Sequence, residues 1–379
     1  MKLSTTIRNA ASLATLTPTS ATPTSPPHRV RTVYQFANAA TWIENIAVRS
    51  NGNLLVTVLA PAADLYEIVL SNHPPSSPSP SPSNTTTTTT TTTAEARLVH
   101  RFAAYEGLTG IAETAPDVFA VLAGNYSTAG GTASWSLWEA DFTTTTTTTS
   151  TVNELVPSIP NALVLNGMTT VPLLHRGKAS DGDDNNNNVQ LLISDSTAGH
   201  VLRVHLPSSS SSSSSSPDDP DDDDDNNNNI AVFLADDRTT SPPNASLPTG
   251  VNGVRYLPDD GYLYFTNTYR ALFCRVRIDD NDDDDGDDEA AAKVEVLAEG
   301  VKGDDFAVRR EDGGVVAYVT DGVDGEVVRV VVGSGEGKDV LVEGEEATSA
   351  AFGRGPGDGD VLYVVTRGGT VLAVDLGGS

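Results

Sequence analysis

Two carboxylates and two carboxamides hold matched places in this chain. Glu44, Asn166, Asn252 and Asp304 each open a short apolar stretch (ENIAV, NGMTT, NGVRY, DDFAV). Thr109 and Thr348 open two more stretches of the same kind (TGIAE, TSAAF), so six oxygen-bearing side chains share one register. Strand formation does not ask for this, since Asn and Asp are poor strand residues. Brought to a common axis, Glu44, Asn166, Asn252 and Asp304 would make a hard-cation site. It would suit Ca2+ first, with Mg2+ or Mn2+ as alternatives, and would leave open positions for water and substrate. Asp304 or its neighbour Asp305 could then act as general base. Thr109 and Thr348 would complete the rim. Trp42, Tyr126 and Tyr269 would line an apolar substrate pocket beside it, or else pack between neighbouring units. A plainer reading of Asn166 and Asn252 also stands, because each precedes Gly and Asn-Gly turns a chain into a strand.

The elements that would position these residues form a repeat. Six segments, near 44–70, 107–142, 162–206, 249–278, 303–332 and 347–376, follow one grammar. A short apolar strand is followed by a turn rich in Gly, Asp, Asn or Pro, then by a β-branched and aromatic strand (LLVTV, VFAVL, LLISD, LYFTN, AYVTD, LYVVT). After a second turn comes a strand that alternates apolar with polar (LYEIVL, VLRVHL, LFCRVRI, EVVRVVV, VLAVDL). Period-two alternation broken by turns is the strand signal. An outer fourth strand fits between copies, as in ARLVHRF, IAVFLA and KVEVLAEG. About 45 residues per copy is the size of a four-stranded propeller blade. The spacing therefore predicts an all-β, six-bladed β-propeller over 30–379. VYQFA (33–37) would complete the last blade and close the ring, and each inner strand would line a central channel. Residues 1–29 read as a disordered N-terminal segment with a weak resemblance to a signal peptide.

Composition restricts the function classes. Thr fills 85–93 and 143–149, Ser 208–216, Asn 185–188 and 226–229, and Asp 221–225. Such tracts bury too little apolar surface to offset the entropy of ordering them, so they read as disordered loop insertions. Nineteen acids lie in 181–184, 218–225 and 279–289; without them the net charge of −28 falls to about −9. No basic stripe exists to neutralise phosphates, which argues against nucleic acid, and nothing favours an anionic membrane. The partner expected is a small-molecule substrate, and a monomer is compatible with all of this. One cysteine, Cys274 in a strand-like LFCRV, excludes an intramolecular disulfide and reads as a buried thiol. Sequons at Asn84, Asn125 and Asn244 would permit glycosylation if the chain were secreted, so cytoplasmic and secreted compartments both stay open. DDNDDDDGDDEA (279–290) lacks the closing Glu of an EF-hand loop, and no G-x-S-x-G elbow anchors a serine hydrolase.

The stretches ENIAVRSNG, GLTGIAET, LNGMTT, GVNGVRY, GDDFAVR and TSAAFGR, taken in order, resemble the family of senescence marker protein (regucalcin), gluconolactonase and luciferin-regenerating enzyme, in its fungal branch. The resemblance runs from about residue 30 to the C-terminus outside the tracts. It implies a divalent cation on the channel axis, held by Glu44, Asn166, Asn252 and Asp304. Two departures are visible: WIENI replaces the family's usual glycine-rich context of the Glu, and Asp304-Asp305 replaces its Asp-Gly. No counterpart of the lactonases' substrate-binding Arg stands out. Three functions follow as expectations: metal-dependent hydrolysis of a lactone or ester, metal-independent cyclisation of the hetero-Diels–Alder type, and non-catalytic binding.

Overall fold

The computed structural model describes residues 28–70, 94–126, 133–143, 150–172, 189–206, 229–246, 248–278, 293–333, 338–355 and 357–377. The tracts Thr85–Thr93, Ser208–Ser216 and Asp282–Asp285 fall outside them, as does most of the N-terminal segment.

Twenty-four strands form six four-stranded antiparallel sheets, the blades of a β-propeller. Blade 1 holds β2 (Trp42–Val48), β3 (Leu54–Ala60), β4 (Asp64–Val69) and β5 (Glu95–Arg101). Blade 2 holds β6 (Gly107–Ala115), β7 (Val118–Asn125), β8 (Ser134–Asp141) and β9 (Thr151–Val156). Blade 3 holds β10 (Leu165–Pro172), β11 (Val189–Asp195), β12 (His200–His205) and β13 (Ile230–Ala235). Blade 4 holds β14 (Val251–Leu257), β15 (Tyr262–Asn267), β16 (Leu272–Arg277) and β17 (Glu295–Glu299). Blade 5 holds β18 (Phe306–Glu311), β19 (Gly314–Asp321), β20 (Glu326–Val331) and β21 (Asp339–Glu343). Blade 6 holds β22 (Ala347–Phe352), β23 (Val361–Thr366) and β24 (Thr370–Asp375), and β1 (Arg29–Gln35) is its outer strand. The β1–β24 pairing, Arg29 opposite Asp375 and Gln35 opposite Thr370, closes the ring as the sequence predicts.

Six apolar clusters lie one between each pair of successive blades. Between blades 1 and 2, for example, Leu55, Leu65, Leu108 and Phe119 are all fully buried. This packing explains the β-branched and aromatic second strands, which are covered on both faces.

The inner strands β2, β6, β10, β14 and β22 share an irregularity near their beginnings. Strand pairing skips there, between Ile43 and Asn45, Leu108 and Ile111, Leu165 and Met168, Val251 and Val254, and Ala347 and Ser349. Each is a β-bulge, which leaves residues unpaired and re-aims their side chains. The unpaired residues include Glu44, Thr109, Asn166, Asn252 and Thr348. Carbonyls freed in this way must find donors. Hydroxyls supply them: Thr57 Oγ1 donates to Thr109 O (2.7 Å) and Ser194 Oγ to Asn252 O (2.5 Å). Thr266 Oγ1 donates to Asp304 O (2.8 Å), Thr320 Oγ1 to Thr348 O (2.9 Å), and Thr348 Oγ1 to Ile43 O (2.7 Å). This belt of hydroxyls stitches successive blades together around the channel.

Candidate functional site

The bulges decide which ring residues meet. Asn252 Nδ2 donates to Asp304 Oδ1 (2.8 Å) and to Thr268 Oγ1 (2.9 Å). Glu44 lies beside Asp304, and both carboxyls are almost completely buried. Thr109 and Thr348 are buried in the same ring, but the Thr348 hydroxyl is spent on the blade 6 to blade 1 seam. Asn166 takes the corresponding place in the bulge of β10 and is half-buried. The Asn-Gly pairs do not turn the chain into the strand, since both lie inside strands β10 and β14. A Cβ on Gly167 would stand 2.5 Å from the Asn252 carbonyl oxygen, and one on Gly253 would stand 2.7 Å from Asp305 Cα. Glycine is there because the next blade passes that close.

Asp305 goes elsewhere. Its carboxylate accepts from Asn45 Nδ2 (3.0 Å), Ser349 Oγ (2.9 Å), its neighbour's Phe306 N–H (2.8 Å) and the Arg255 guanidinium. Asn45 Oδ1 also lies 3.1 Å from Ser349 Oγ. Four side chains from blades 1, 4, 5 and 6 thus join across the axis and plug the channel one residue below the Glu44 ring. Asp305 is thus held in the plug, whereas Asp304 faces Asn252 and the Glu44 ring.

A cation that the sequence did not single out stands at the Glu44 ring. Arg367, in the β23–β24 turn, places Nη2 3.7 Å from Asp304 Oδ2, and its guanidinium lies 4.5 Å from the Trp42 ring centroid. Burial, and next the charge of Asp304, push the Glu44 carboxyl well above the usual range, with Arg367 opposing. Burial likewise raises Asp304, against the pull of Arg367. Burial and mutual repulsion thus push both carboxyls toward their neutral forms, and the Arg367 guanidinium pulls the other way.

Trp42 packs against this ring, its indole edge approaching Glu44. Tyr126 adjoins Glu44 from blade 2, donates to Leu59 O (3.4 Å), and has its phenol pushed up by burial and by Glu106. Beyond Tyr126 a cavity of about 550 Å3 opens on the same face, lined by Pro61, Arg101, Phe102, Tyr105 and Glu106. Tyr269 is exposed at the β15–β16 turn, where its N–H donates to Thr249 O (3.0 Å) just before β14 begins. His200 and His205 sit in the third strand of blade 3, away from the ring.

The donor set also bears on a divalent cation. Glu44 Oε2, Asn252 Oδ1 and Thr109 Oγ1 are buried without hydrogen-bond partners, and hard cations bind such oxygens. Those acceptors fit an ion, although Arg367 already serves Asp304 as a counter-charge. Among the described residues no cluster of three or more His, Cys, Asp or Glu side chains comes together.

No protein-family model matches the chain. Over 366 residues, 92% of this chain and 90% of the relative, it is 28% identical to a protein of Phoma sp described as "Putative hetero-Diels-Alderase". Among solved structures it is similar to regucalcin, a calcium-binding protein from Agrobacterium tumefaciens, at 14% identity and a TM-score of 0.52. It is similar also to luciferin-regenerating enzyme, at 12% identity and a TM-score of 0.51. Each alignment covers 92% of this chain and 95% of the other. At these identities the structural likenesses show the six-bladed fold.

Proposed function

We propose that the chain is a cyclase that closes a heteroatom-containing ring in a small molecule by a hetero-Diels–Alder cycloaddition. The observation that carries this reading is the placing of Arg367 against Asp304 and Trp42, beside two buried carboxyls that burial pushes above their usual range. The similarity to a hetero-Diels-Alderase along nine-tenths of the chain supports it. In such a reaction a heterodiene and an alkene form two σ bonds at once and nothing leaves, so no nucleophile or base is required. The protein contributes orientation and stabilisation of the charge that builds on the carbonyl oxygen. Arg367 and a protonated carboxyl of the ring would donate to that oxygen, and the apolar body of the substrate would lie past Tyr126.

The test uses an α,β-unsaturated ketone as heterodiene and a vinyl ether as alkene, followed by chiral chromatography of the dihydropyran formed. The expected result is faster formation of an enantiomerically enriched product, insensitive to EDTA and lost in Arg367→Met. A racemic product at the uncatalysed rate overturns the reading.

The unpartnered oxygens of Glu44, Asn252 and Thr109 favour a second reading, divalent-metal-dependent hydrolysis of a lactone or ester. Glu44, Asn252 and Asp304 would hold the ion, with Asn166 nearby in the register. Such an ion, when bound, supplies Lewis-acid polarisation of a carbonyl. Stoichiometric Ca2+, Mg2+ or Mn2+ by elemental analysis, with EDTA-sensitive turnover of a lactone panel, would establish it in place of the cyclase.

A further inference from the structure

The geometry points to a second ligand site at the opposite end of the channel, a chamber for an uncharged small molecule. The plug of Asn45, Asp305, Ser349 and Arg255 separates it from the Glu44 ring. Below the plug an open cavity of about 350 Å3 is lined by the later residues of all six inner strands, among them Ile46, Met168, Arg255, Tyr256, Ala350 and Phe352. That volume lies within the range of small-molecule sites.

The register shows why the space exists. Three residues beyond each ring position stand Ala47, Ala112, Thr169, Arg255, Ala307 and Ala351. Four alanines occur there, in strands whose other positions carry Ile, Val, Phe and Met. Alanine is disfavoured in strands, and larger side chains at this level would fill the channel with packed atoms, the ordinary state of a protein interior.

The charges state what the chamber would accept. Arg255 is neutralised by Asp305, and its Nη1 is further spent on the carbonyls of Val254 (2.9 Å) and Met168 (3.3 Å). At the rim, Glu113 takes Arg354 Nη1 (2.5 Å) on one oxygen and the Asp117 N–H (2.9 Å) on the other. With each formal charge on the wall paired, an ionic ligand would enter without a counter-charge, at a desolvation cost. An uncharged one avoids that cost and meets the partly exposed aromatic surfaces of Tyr256 and Phe352.

The experiment uses the full chain and two neutral probes. N-phenyl-1-naphthylamine is titrated by fluorescence, with the anionic anilinonaphthalene sulfonate as comparison. Benzophenone is photocrosslinked to the unaltered protein, and the label is mapped by peptide mass spectrometry. The expected result is saturable uptake of the neutral probe with at least about tenfold preference over the anion. Ala351→Phe should weaken uptake by at least tenfold, whereas Tyr126→Ala at the upper cavity should leave it unchanged. Ala47→Leu is the gentler filling variant should Ala351→Phe unfold. Benzophenone should label peptides containing Met168 or Tyr256. Label confined to 101–126, preference for the anionic probe, or no saturable uptake by the folded protein would each overturn the proposal. None of these outcomes depends on cyclisation at the upper ring.

Discussion

Asp305→Ala tests the axial plug. Asp305 is buried and accepts four hydrogen bonds, from Asn45, Ser349, Phe306 and Arg255. Removing its carboxylate leaves a guanidinium whose side chain is only 19% exposed without a counter-charge. It also strips an amide and a hydroxyl of an acceptor. Breaking a buried pair from one side costs about 3–5 kcal/mol, mainly because the surviving charge stays buried. At roughly 2–4 °C per kcal/mol for a domain of this size, thermal unfolding followed by circular dichroism should move down by about 6–20 °C. The double variant Arg255→Met/Asp305→Ala removes the stranded charge and should recover part of the loss, giving a coupling of at least about 1 kcal/mol. A fall of under about 2 °C for the single variant, or a double variant no better than the single, would refute a charge-paired plug.

The raised carboxyls of Glu44 and Asp304 give a stability slope with a definite sign. The folded state keeps its protons to higher pH than the unfolded chain, so this contribution is complete below the usual carboxylate range and is lost as pH rises toward neutrality and beyond. Melting temperature should therefore fall between about pH 5 and 8, with a shallower fall in Glu44→Gln. Arg367→Met should lower the cycloaddition rate by about 10²-fold, as loss of a transition-state donor does, while the circular dichroism spectrum stays unchanged. Gly167→Ala should destabilise by about 1–3 kcal/mol or more in urea unfolding, because the added methyl meets the blade 4 backbone at Asn252 and Val254. Cys274 is fully buried, with its thiol pushed up to about 12 by burial. It should resist a thiol reagent such as dithionitrobenzoate in the native protein and react at full stoichiometry in denaturant.

The repeat was legible because a blade is a local object. Alternation in LYEIVL or LFCRVRI, and the β-branched second strands, report burial between neighbouring blades, and that is written within some 45 residues. Closure by the early strand was readable on the same grounds. The ring of Glu44, Asn252 and Asp304 was readable as a register, since one strand position recurs in every copy. Which members of that register meet was not. The bulges at Ile43–Asn45 and Val251–Val254 re-aim side chains toward the neighbouring blade, and it is there that Asn252 reaches Asp304. The division of labour between Asp304 and Asp305 was beyond the sequence for the same reason. Adjacent residues in a pleated chain face different surroundings, and only the closed ring shows that Asp305 meets Arg255 while Asp304 meets Arg367. Both arginines lie far from their partners along the chain, at separations of 50 residues for Arg255 and 63 for Arg367. Local pattern sets each blade, and the contacts that shift the carboxyls and give them counter-charges exist only once six blades share one axis.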